Sequence, residues 1–171
     1  MTKWILAVAL TLSAFSSTAI AQSKSDLVGT WKLVSSKDTN EKGEVKDSYG
    51  RNPTGFLTYT ADGRMIVLIT TDGRKPLSVP DWVAAPAEER AEAFATSIAY
   101  AGTYTLSGDK VIHHVEAASM QNLVNTDLVR FMAKVGRDQL ILRTAPLLKG
   151  GERVTQQLVW ERMKPIQQVP N

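Results

Sequence analysis

The 171-residue chain contains no cysteine, which excludes disulfide bonds, thiolate metal sites and a cysteine nucleophile. Glycine and proline number only 11 and 7, too few for a collagen-like or low-complexity chain. The net charge is only +3 and the basic residues form no runs, so we expect no nucleic-acid partner. The motifs of phosphate-binding loops, zinc proteases and serine hydrolases are also absent. With 43% hydrophobic and 22% charged residues, the composition is that of one globular domain.

The first 21 residues have the pattern of a secretory signal peptide. Lys3 precedes an apolar run from Trp4 to Leu12, and Ala19-Ile20-Ala21 has the spacing of a cleavage site. Because the run is shorter than the ~20 residues that span a bilayer, cleavage is favoured over a membrane anchor. We therefore expect a mature domain, 22–171, that is periplasmic or secreted and has no stable membrane anchor.

Short segments rich in β-branched and aromatic residues dominate the mature chain, with turn signals such as Asp72-Gly73 between them. Strands joined mostly by short turns favour an antiparallel barrel or sandwich over βαβ units. A closed barrel also leaves no exposed sheet edge. Eight strands are predicted, over 30–36, 55–60, 64–71, 102–106, 110–117, 128–135, 139–144 and 153–163.

One helix is predicted between the third and fourth strands. It begins at Pro86, whose missing N–H costs nothing in a first turn, and ends near Ala101-Gly102. We expect its apolar face to be buried, with the helix acting as a lid at the barrel mouth or as a plug packed against the barrel. The residues of that face are Ala87, Ala91, Phe94 and Ile98.

Several motifs follow one another along residues 27–163. They are Leu27-Val28-Gly29-Thr30-Trp31-Lys32-Leu33, Pro53-Thr54-Gly55-Phe56-Leu57-Thr58-Tyr59, Tyr100-Ala101-Gly102-Thr103-Tyr104, Val111-Ile112-His113-His114-Val115-Glu116, Leu140-Ile141-Leu142-Arg143-Thr144-Ala145-Pro146 and Leu158-Val159-Trp160-Glu161-Arg162. The ordered set resembles the bacterial and fungal lipocalin-like domain family, and its first motif contains a lipocalin-type G-x-W. The resemblance implies an all-β fold, an eight-stranded antiparallel lipocalin-like β-barrel with a central cavity, here with one inserted α-helix.

One loop departs from the family pattern. Relatives have a proline and a glycine spaced P-x-x-x-G after the strand with the two histidines, whereas this chain has Gln121-Asn122-Leu123-Val124-Asn125. The loop backbone of the relatives, and any ligand contact that it makes, is therefore not carried over.

Gly29 and Trp31 of the G-x-W motif are predicted to close one end of the barrel. In lipocalins this glycine admits a tight backbone and the tryptophan closes the bottom. We expect Arg162, or Arg143, to pack over the indole as a cation–π lid. Ligand stacking on Trp31 is the alternative, which we disfavour because the interior of a small barrel fills with side chains.

His113 and His114 are the only histidines of the chain. Adjacent strand residues point to opposite faces, so the pair cannot hold one metal ion. Because no carboxylate cluster accompanies them, we predict no metal and no cofactor. His113, with valine on either side of it on its strand face, is preferred for the interior. It is then a structural residue, a group that orients a ligand, or a general acid–base.

Arg130 shares a strand face with Leu128 and Met132, which predicts that it points inward, with a position at the barrel rim as the alternative. A charge inside a barrel needs a partner. That partner is either a carboxylate or carbonyl oxygen of a ligand, or Glu116 in an ion pair. Tyr59 and Tyr104 either add hydroxyl donors to the same cavity or simply pack.

Three functions remain open. The first is an exported protein that binds a small, largely apolar molecule in the barrel, with Tyr59, Tyr104, His113 and Arg130 orienting one polar end. The second is a cofactor-free isomerase, cyclase or dehydratase, in which His113 moves a proton and Arg130 stabilises an enolate-like charge. The third is a filled barrel with a structural or interaction role. A cavity of ~300 Å³ or more favours the first two and a packed interior the third; the oligomeric state stays open.

Overall fold

All of the long strands join into one closed antiparallel barrel. The computed structural model describes residues 24–165, so the predicted signal peptide and its cleavage site lie outside the described residues. The strands are β1 (Gly29–Asn40), β2 (Val45–Asp47), β3 (Thr54–Tyr59), β4 (Arg64–Thr70), β5 (Ser97–Ser107), β6 (Lys110–Ala118), β7 (Asp127–Val135), β8 (Gln139–Thr144), β9 (Leu147–Lys149) and β10 (Glu152–Arg162). The helices are α1 (Lys24–Leu27), α2 (Ala87–Ala95) and a 3-10 turn, Gln121–Leu123.

The barrel has eight strands, in the order β1-β3-β4-β5-β6-β7-β8-β10, and β10 pairs back with β1 to close it. The short strand β2 continues the β3 side of β1, and β9 continues the β8 side of β10. Each of the eight predicted strands is present, and the predicted antiparallel barrel is confirmed.

Alternation along the strands builds the core, because every second side chain points inward. On β4, for example, Met65, Val67 and Ile69 are buried while their neighbours are not. The two largest buried side chains are Trp31 on β1 and Trp160 on β10. Inward-facing side chains from all eight strands therefore fill most of the barrel, as expected for this strand number.

The two ends of the barrel differ. The short hairpin turns β3–β4, β5–β6 and β7–β8 lie at the same end as α1, which we call the closed end. The other end, which we call the loop end, consists of the longer connections 41–53, 71–96, 119–126 and 145–151.

The helix α2 is shorter than predicted, since it ends at Ala95 and not near residues 101–102. The hydroxyls of Thr96 and Ser97 donate to carbonyls of the last helical turn, at 2.7 and 2.9 Å, and Ser97 then pairs with Thr70 of β4. Strand pairing therefore takes over at Ser97, and Ile98 belongs to β5.

The expected burial of the α2 apolar face is wrong. No residue of α2 is buried, and Phe94 is 50% exposed. The helix is held instead by its own preceding segment, because Arg74 donates to the carbonyl of Ala93 and the Glu89 carboxylate accepts from the Ser78 amide. Whether the helix acts as a lid or as a plug stays a prediction. Across residues 24–165, no helix has the length and apolar character that a bilayer crossing requires.

Asn125 has a left-handed backbone conformation in the loop that departs from the family pattern. Its φ is 61°, and among residues 24–165 it is the only non-glycine residue with a positive φ. The family pattern has glycine at this position, and asparagine is one of the few other residues that adopt the left-handed region readily.

Candidate functional site

The closed end contains Gly29, Trp31 and Arg162. Trp31 is fully buried, and its Nε1 donates to the last carbonyl of α1 at 2.8 Å. The Arg162 guanidinium lies 4.0 Å from the indole ring centroid and donates to the carbonyl of Val28 at 2.6 Å. Gly29 has a φ of +131°, and a Cβ there would lie 2.7 Å from the Arg162 guanidinium. A ligand has no room beside Trp31.

His113 lies inside the barrel and is only 1% exposed. The Tyr59 hydroxyl is 2.6 Å from its Nε2, and the Tyr100 hydroxyl is 3.1 Å from its Nδ1. Burial lowers the pKa of His113 well below 6.5, and the nearby Arg130 charge lowers the pKa further. The imidazole is therefore neutral at physiological pH, so one nitrogen donates and the other accepts.

The protons of this cluster follow from its geometry. Since His113 Nε2 is the one partner of the buried Tyr59 hydroxyl within the described chain, we assign Tyr59 as the donor to Nε2. Nδ1–H of His113 then donates to the Tyr100 oxygen. The Tyr100 proton consequently remains available to an acceptor in the barrel.

Arg130 faces the interior and is partly buried. Its Nη1 donates to the neighbouring Val129 carbonyl at 3.1 Å, and its Nη2 lies 3.5 Å from the Tyr100 hydroxyl. Glu116 is exposed, and the ion pairs formed within residues 24–165 include none between it and Arg130. The guanidinium therefore lies beside the His113 cluster without a carboxylate partner from that part of the chain.

A small cavity lies beneath the loop end. Its volume is about 30 Å³, which holds one or two water molecules and is an order of magnitude below the ~300 Å³ of drug-sized sites. By the size criterion, this packed interior favours the filled barrel. Its polar lining consists of Tyr49, Tyr100, His113, Arg130, Gln156 and Trp160.

Trp160 contributes an unpaired donor to this cavity. The side chain is 2% exposed, and no atom of residues 24–165 accepts a hydrogen bond from its Nε1. A buried donor without a partner costs about 1–3 kcal/mol. Together with the Arg130 guanidinium and the free Tyr100 proton, the indole gives the cavity three donor groups.

Tyr49 and Gln156 complete the polar lining by bonding to each other. Burial raises the pKa of Tyr49, an effect that its hydrogen bond to Gln156 partly opposes. Burial also raises the pKa of Tyr59 well above 10, so both phenols keep their protons at physiological pH.

Only some of the predicted ligand-binding residues lie at the cavity. Arg130 and His113 line the cavity, and Tyr59 reaches it only through His113. Tyr104 lies apart, because its hydroxyl donates to the Thr60 carbonyl at 2.9 Å, towards the closed end. Their ligand-binding roles stay predictions.

Sequence reasoning missed four residues of the cavity lining, namely Tyr49, Tyr100, Gln156 and Trp160. Period-2 spacing carries a signal for two of them: Tyr100 shares the parity of the inward Tyr104, and Gln156 shares that of Trp160.

His114 lies on the outer wall, in a separate network. Its Nδ1 is 2.7 Å from an Asp127 carboxylate oxygen, and its Nε2 is 2.9 Å from the Thr105 hydroxyl. The two histidines therefore share no ligand. Within residues 24–165, no group of three or more histidine and acidic side chains is placed to hold a metal ion.

Comparison with known proteins supports the fold. A family model described as a lipocalin-like domain matches residues 28–163. No curated protein matches the chain. A redesigned β-barrel is 15% identical, with 86% of this chain and 100% of that chain covered and a TM-score of 0.40. A complex of bovine odorant binding protein with a selenium-containing odorant is 16% identical, with 92% and 80% covered and a TM-score of 0.44.

The family match spans most of the chain, from the residue before Gly29 to the residue after Arg162. It therefore includes both ends of the closing strand pair and every polar residue of the cavity. The chain belongs to the lipocalin-like domain family.

Proposed function

We propose that the protein binds a small, largely apolar molecule at the loop end of its barrel and holds that molecule's one polar group in the interior cavity. The family barrel is consistent with small-molecule binding in general. One observation carries the proposal: Trp160 lines a cavity, and its indole N–H finds no acceptor within residues 24–165. A ligand acceptor supplies the hydrogen bond that this donor lacks.

The polar residues at the cavity have two roles in this proposal: some bind the ligand, and others position those that do. Trp160, Arg130 and Tyr100 donate to the ligand. His113 is a positioning residue, because its Nδ1–H holds the Tyr100 oxygen while Tyr59 fixes its other nitrogen. Side chains that are already held in place lose little conformational freedom when they donate hydrogen bonds to a ligand.

The apolar part of the ligand lies outside the cavity, because about 30 Å³ accommodates only a polar group of one or two water volumes. Two residues of the cavity lining, Tyr49 and Ile98, are partly exposed at the loop end. Several large apolar side chains on the connections and short elements there are more than a third exposed: Val45, Val79, Trp82, Val83, Phe94 and Leu148. Four other exposed apolar side chains lie elsewhere: Val34, Ile66, Leu68 and Met163. A contiguous exposed apolar surface is typical of a binding surface.

Native mass spectrometry of the protein purified from its own host tests the binding function. We expect a co-purifying molecule that is absent after denaturation and refolding. A chain that never carries a small molecule, and whose Trp160 indole resonance does not change on addition of host extract, contradicts the proposal.

We further propose that the protein acts in the periplasm or after secretion, with residues 1–21 removed. The sequence pattern of those residues supports this proposal. Cell fractionation followed by N-terminal sequencing tests it, and we expect a mature chain that begins at Gln22. A cytoplasmic protein that retains Lys3 contradicts export.

A filled barrel with a structural or interaction role is the second candidate, favoured by the small interior volume. The two candidates differ in their response to ligand, since only a binding protein gains thermal stability from a small molecule. Catalysis by His113 gains less support, because both of its ring nitrogens already bond to tyrosines and the side chain is 1% exposed.

A further inference from the structure

Arg130 is a positive charge that lacks a counter-charge inside the barrel. No ion pair formed within residues 24–165 includes it, and its hydrogen-bond contacts are a backbone carbonyl and, at 3.5 Å, the Tyr100 hydroxyl. The inward acid Asp38 is paired through Oδ2 with Lys149 at 2.6 Å, and its Oδ1 is buried without a hydrogen bond within residues 24–165. A partly buried charge is stabilised by an opposite charge, and no carboxylate of residues 24–165 lies within ion-pair distance of Arg130.

The groups beside Arg130 are donors as well. The Trp160 indole has an N–H and no acceptor atom, and the Tyr100 oxygen already faces both His113 and Arg130. The one amide side chain of the lining, Gln156, is bonded to Tyr49. A cavity with three donor groups and a positive charge matches a group that has only acceptors and a negative charge.

Alcohols and carbonyls match these groups less well than a carboxylate does. A neutral oxygen accepts from one or two donors and leaves the Arg130 charge uncompensated. A carboxylate has two oxygens that accept several hydrogen bonds, and arginine binds it in a planar, charge-assisted pair.

From these contacts we infer that the ligand is a monocarboxylic acid whose carboxylate is bound by Arg130, Trp160 and Tyr100, with its apolar body at the loop end. The inference rests on the proposed binding function and adds to it the charge and chemical class of the ligand.

Two matched probe pairs test the inference on the mature chain at neutral pH: octanoate against octanol, and benzoate against benzyl alcohol. Each pair keeps the apolar body and changes only the head group. Binding is followed by the indole ¹H–¹⁵N resonance of Trp160, assigned by its disappearance in Trp160→Phe. We expect at least one acid to bind about tenfold or more tightly than its alcohol and to shift this resonance.

Arg130→Met removes the charge and keeps an apolar stem. We expect it to weaken acid binding by about 10- to 100-fold and alcohol binding by less, so that the preference of the native chain for the acids is lost. Arg143→Met is the matched control, because Arg143 is exposed and bonds only to Gln157, and it should bind the acids as the native chain does. Should Arg130→Met fail to fold, Trp160→Phe serves in its place. Its affinities are measured by titration calorimetry because the indole resonance is lost, and we expect a loss of about 3- to 10-fold for the acids and a smaller loss for the alcohols.

The outcomes separate the two proposals. Equal affinity for acid and alcohol, with Arg130→Met as tight as the native chain, overturns the carboxylic-acid inference and leaves the binding function standing. Absence of binding by all four probes, with an unmoved Trp160 resonance, overturns the inference; the binding function is then decided by the molecule, or its absence, in native mass spectra.

Discussion

The hydroxyl of Tyr59 lies 2.6 Å from Nε2 of His113, and each of these side chains is only 1% exposed. This contact fixes the tautomer of a buried imidazole, which in turn holds the oxygen of Tyr100 beside the cavity. Tyr59, near the closed end, thereby determines that the Tyr100 hydroxyl proton, near the loop end, is free to bond to an acceptor.

Tyr59→Phe removes one hydroxyl and leaves the buried Nε2 of His113 without a donor. We expect the free energy of unfolding in urea to fall by about 1–3 kcal/mol. Tyr104→Phe is the matched control, since its hydroxyl donates to a backbone carbonyl in a part-buried position and its loss should cost about 0.5–1.5 kcal/mol. A smaller effect for Tyr59→Phe than for Tyr104→Phe would contradict this account of the cluster.

The buried neutral His113 makes stability depend on pH. Its folded pKa lies well below 6.5, because of burial first and the Arg130 charge second, so the unfolded chain takes up a proton at a higher pH than the folded chain does. The contribution of His113 to the free energy of unfolding is therefore fully present above about pH 6.5. It is lost as the pH falls towards the folded pKa, at up to about 1.4 kcal/mol per pH unit.

Urea unfolding of the native chain and of His113→Gln, between pH 7.5 and 5, measures this contribution. Surface carboxylates affect both proteins alike, so the difference between the two slopes isolates His113. We expect a shallower slope for His113→Gln, and parallel curves would rule out a buried neutral imidazole.

The two buried tryptophans should respond differently to the same substitution. Trp31→Phe loses the hydrogen bond to α1 and the contact with Arg162, and we expect it to destabilise the protein by about 2–3 kcal/mol. Trp160→Phe loses ring volume but also removes an unpaired buried N–H, so its net effect should lie within about 1 kcal/mol of zero. Equal losses of unfolding free energy would indicate that the Trp160 N–H is paired.

Gly102 is required by a close approach between strands. A Cβ there would lie 1.9 Å from the carbonyl oxygen of His114, at the point where the β5–β6 register shifts. Gly102→Ala must displace backbone, and we expect a loss of about 3 kcal/mol or more. At Gly136 the nearest atom to a Cβ would be 3.6 Å away, so Gly136→Ala should change the unfolding free energy by less than about 1 kcal/mol in the same assay.

The barrel could be predicted from the sequence because alternation and turn residues act locally. The eight strands and the inward parity of His113 follow from spacing along single strands, whereas the closing position of Trp31 follows from the resemblance to lipocalins. The end of α2 could not be predicted in this way. Ser97 and Ile98 continue the helical spacing in the sequence, but in the structure they pair with β4.

The cavity was also beyond the reach of local patterns. Its volume and its unpaired donor depend on how Tyr100, Arg130 and Trp160, from three separate strands, pack together after closure. The sequence indicates which of these side chains point inward, but the space left between them is set by the whole barrel.

The contact of Arg162 with the first residues of the barrel also bears on the order of folding. Its guanidinium bonds to the carbonyls of Asp26 and Val28, which precede it by 136 and 134 residues, and β10 pairs with β1 along almost its whole length. Because the final strand completes the cylinder, a nascent chain exposes the free edges of β1 and β8. Arrival of the last strand is thus the event that commits the polypeptide to its native state, and chains truncated before β10 should remain open and aggregate.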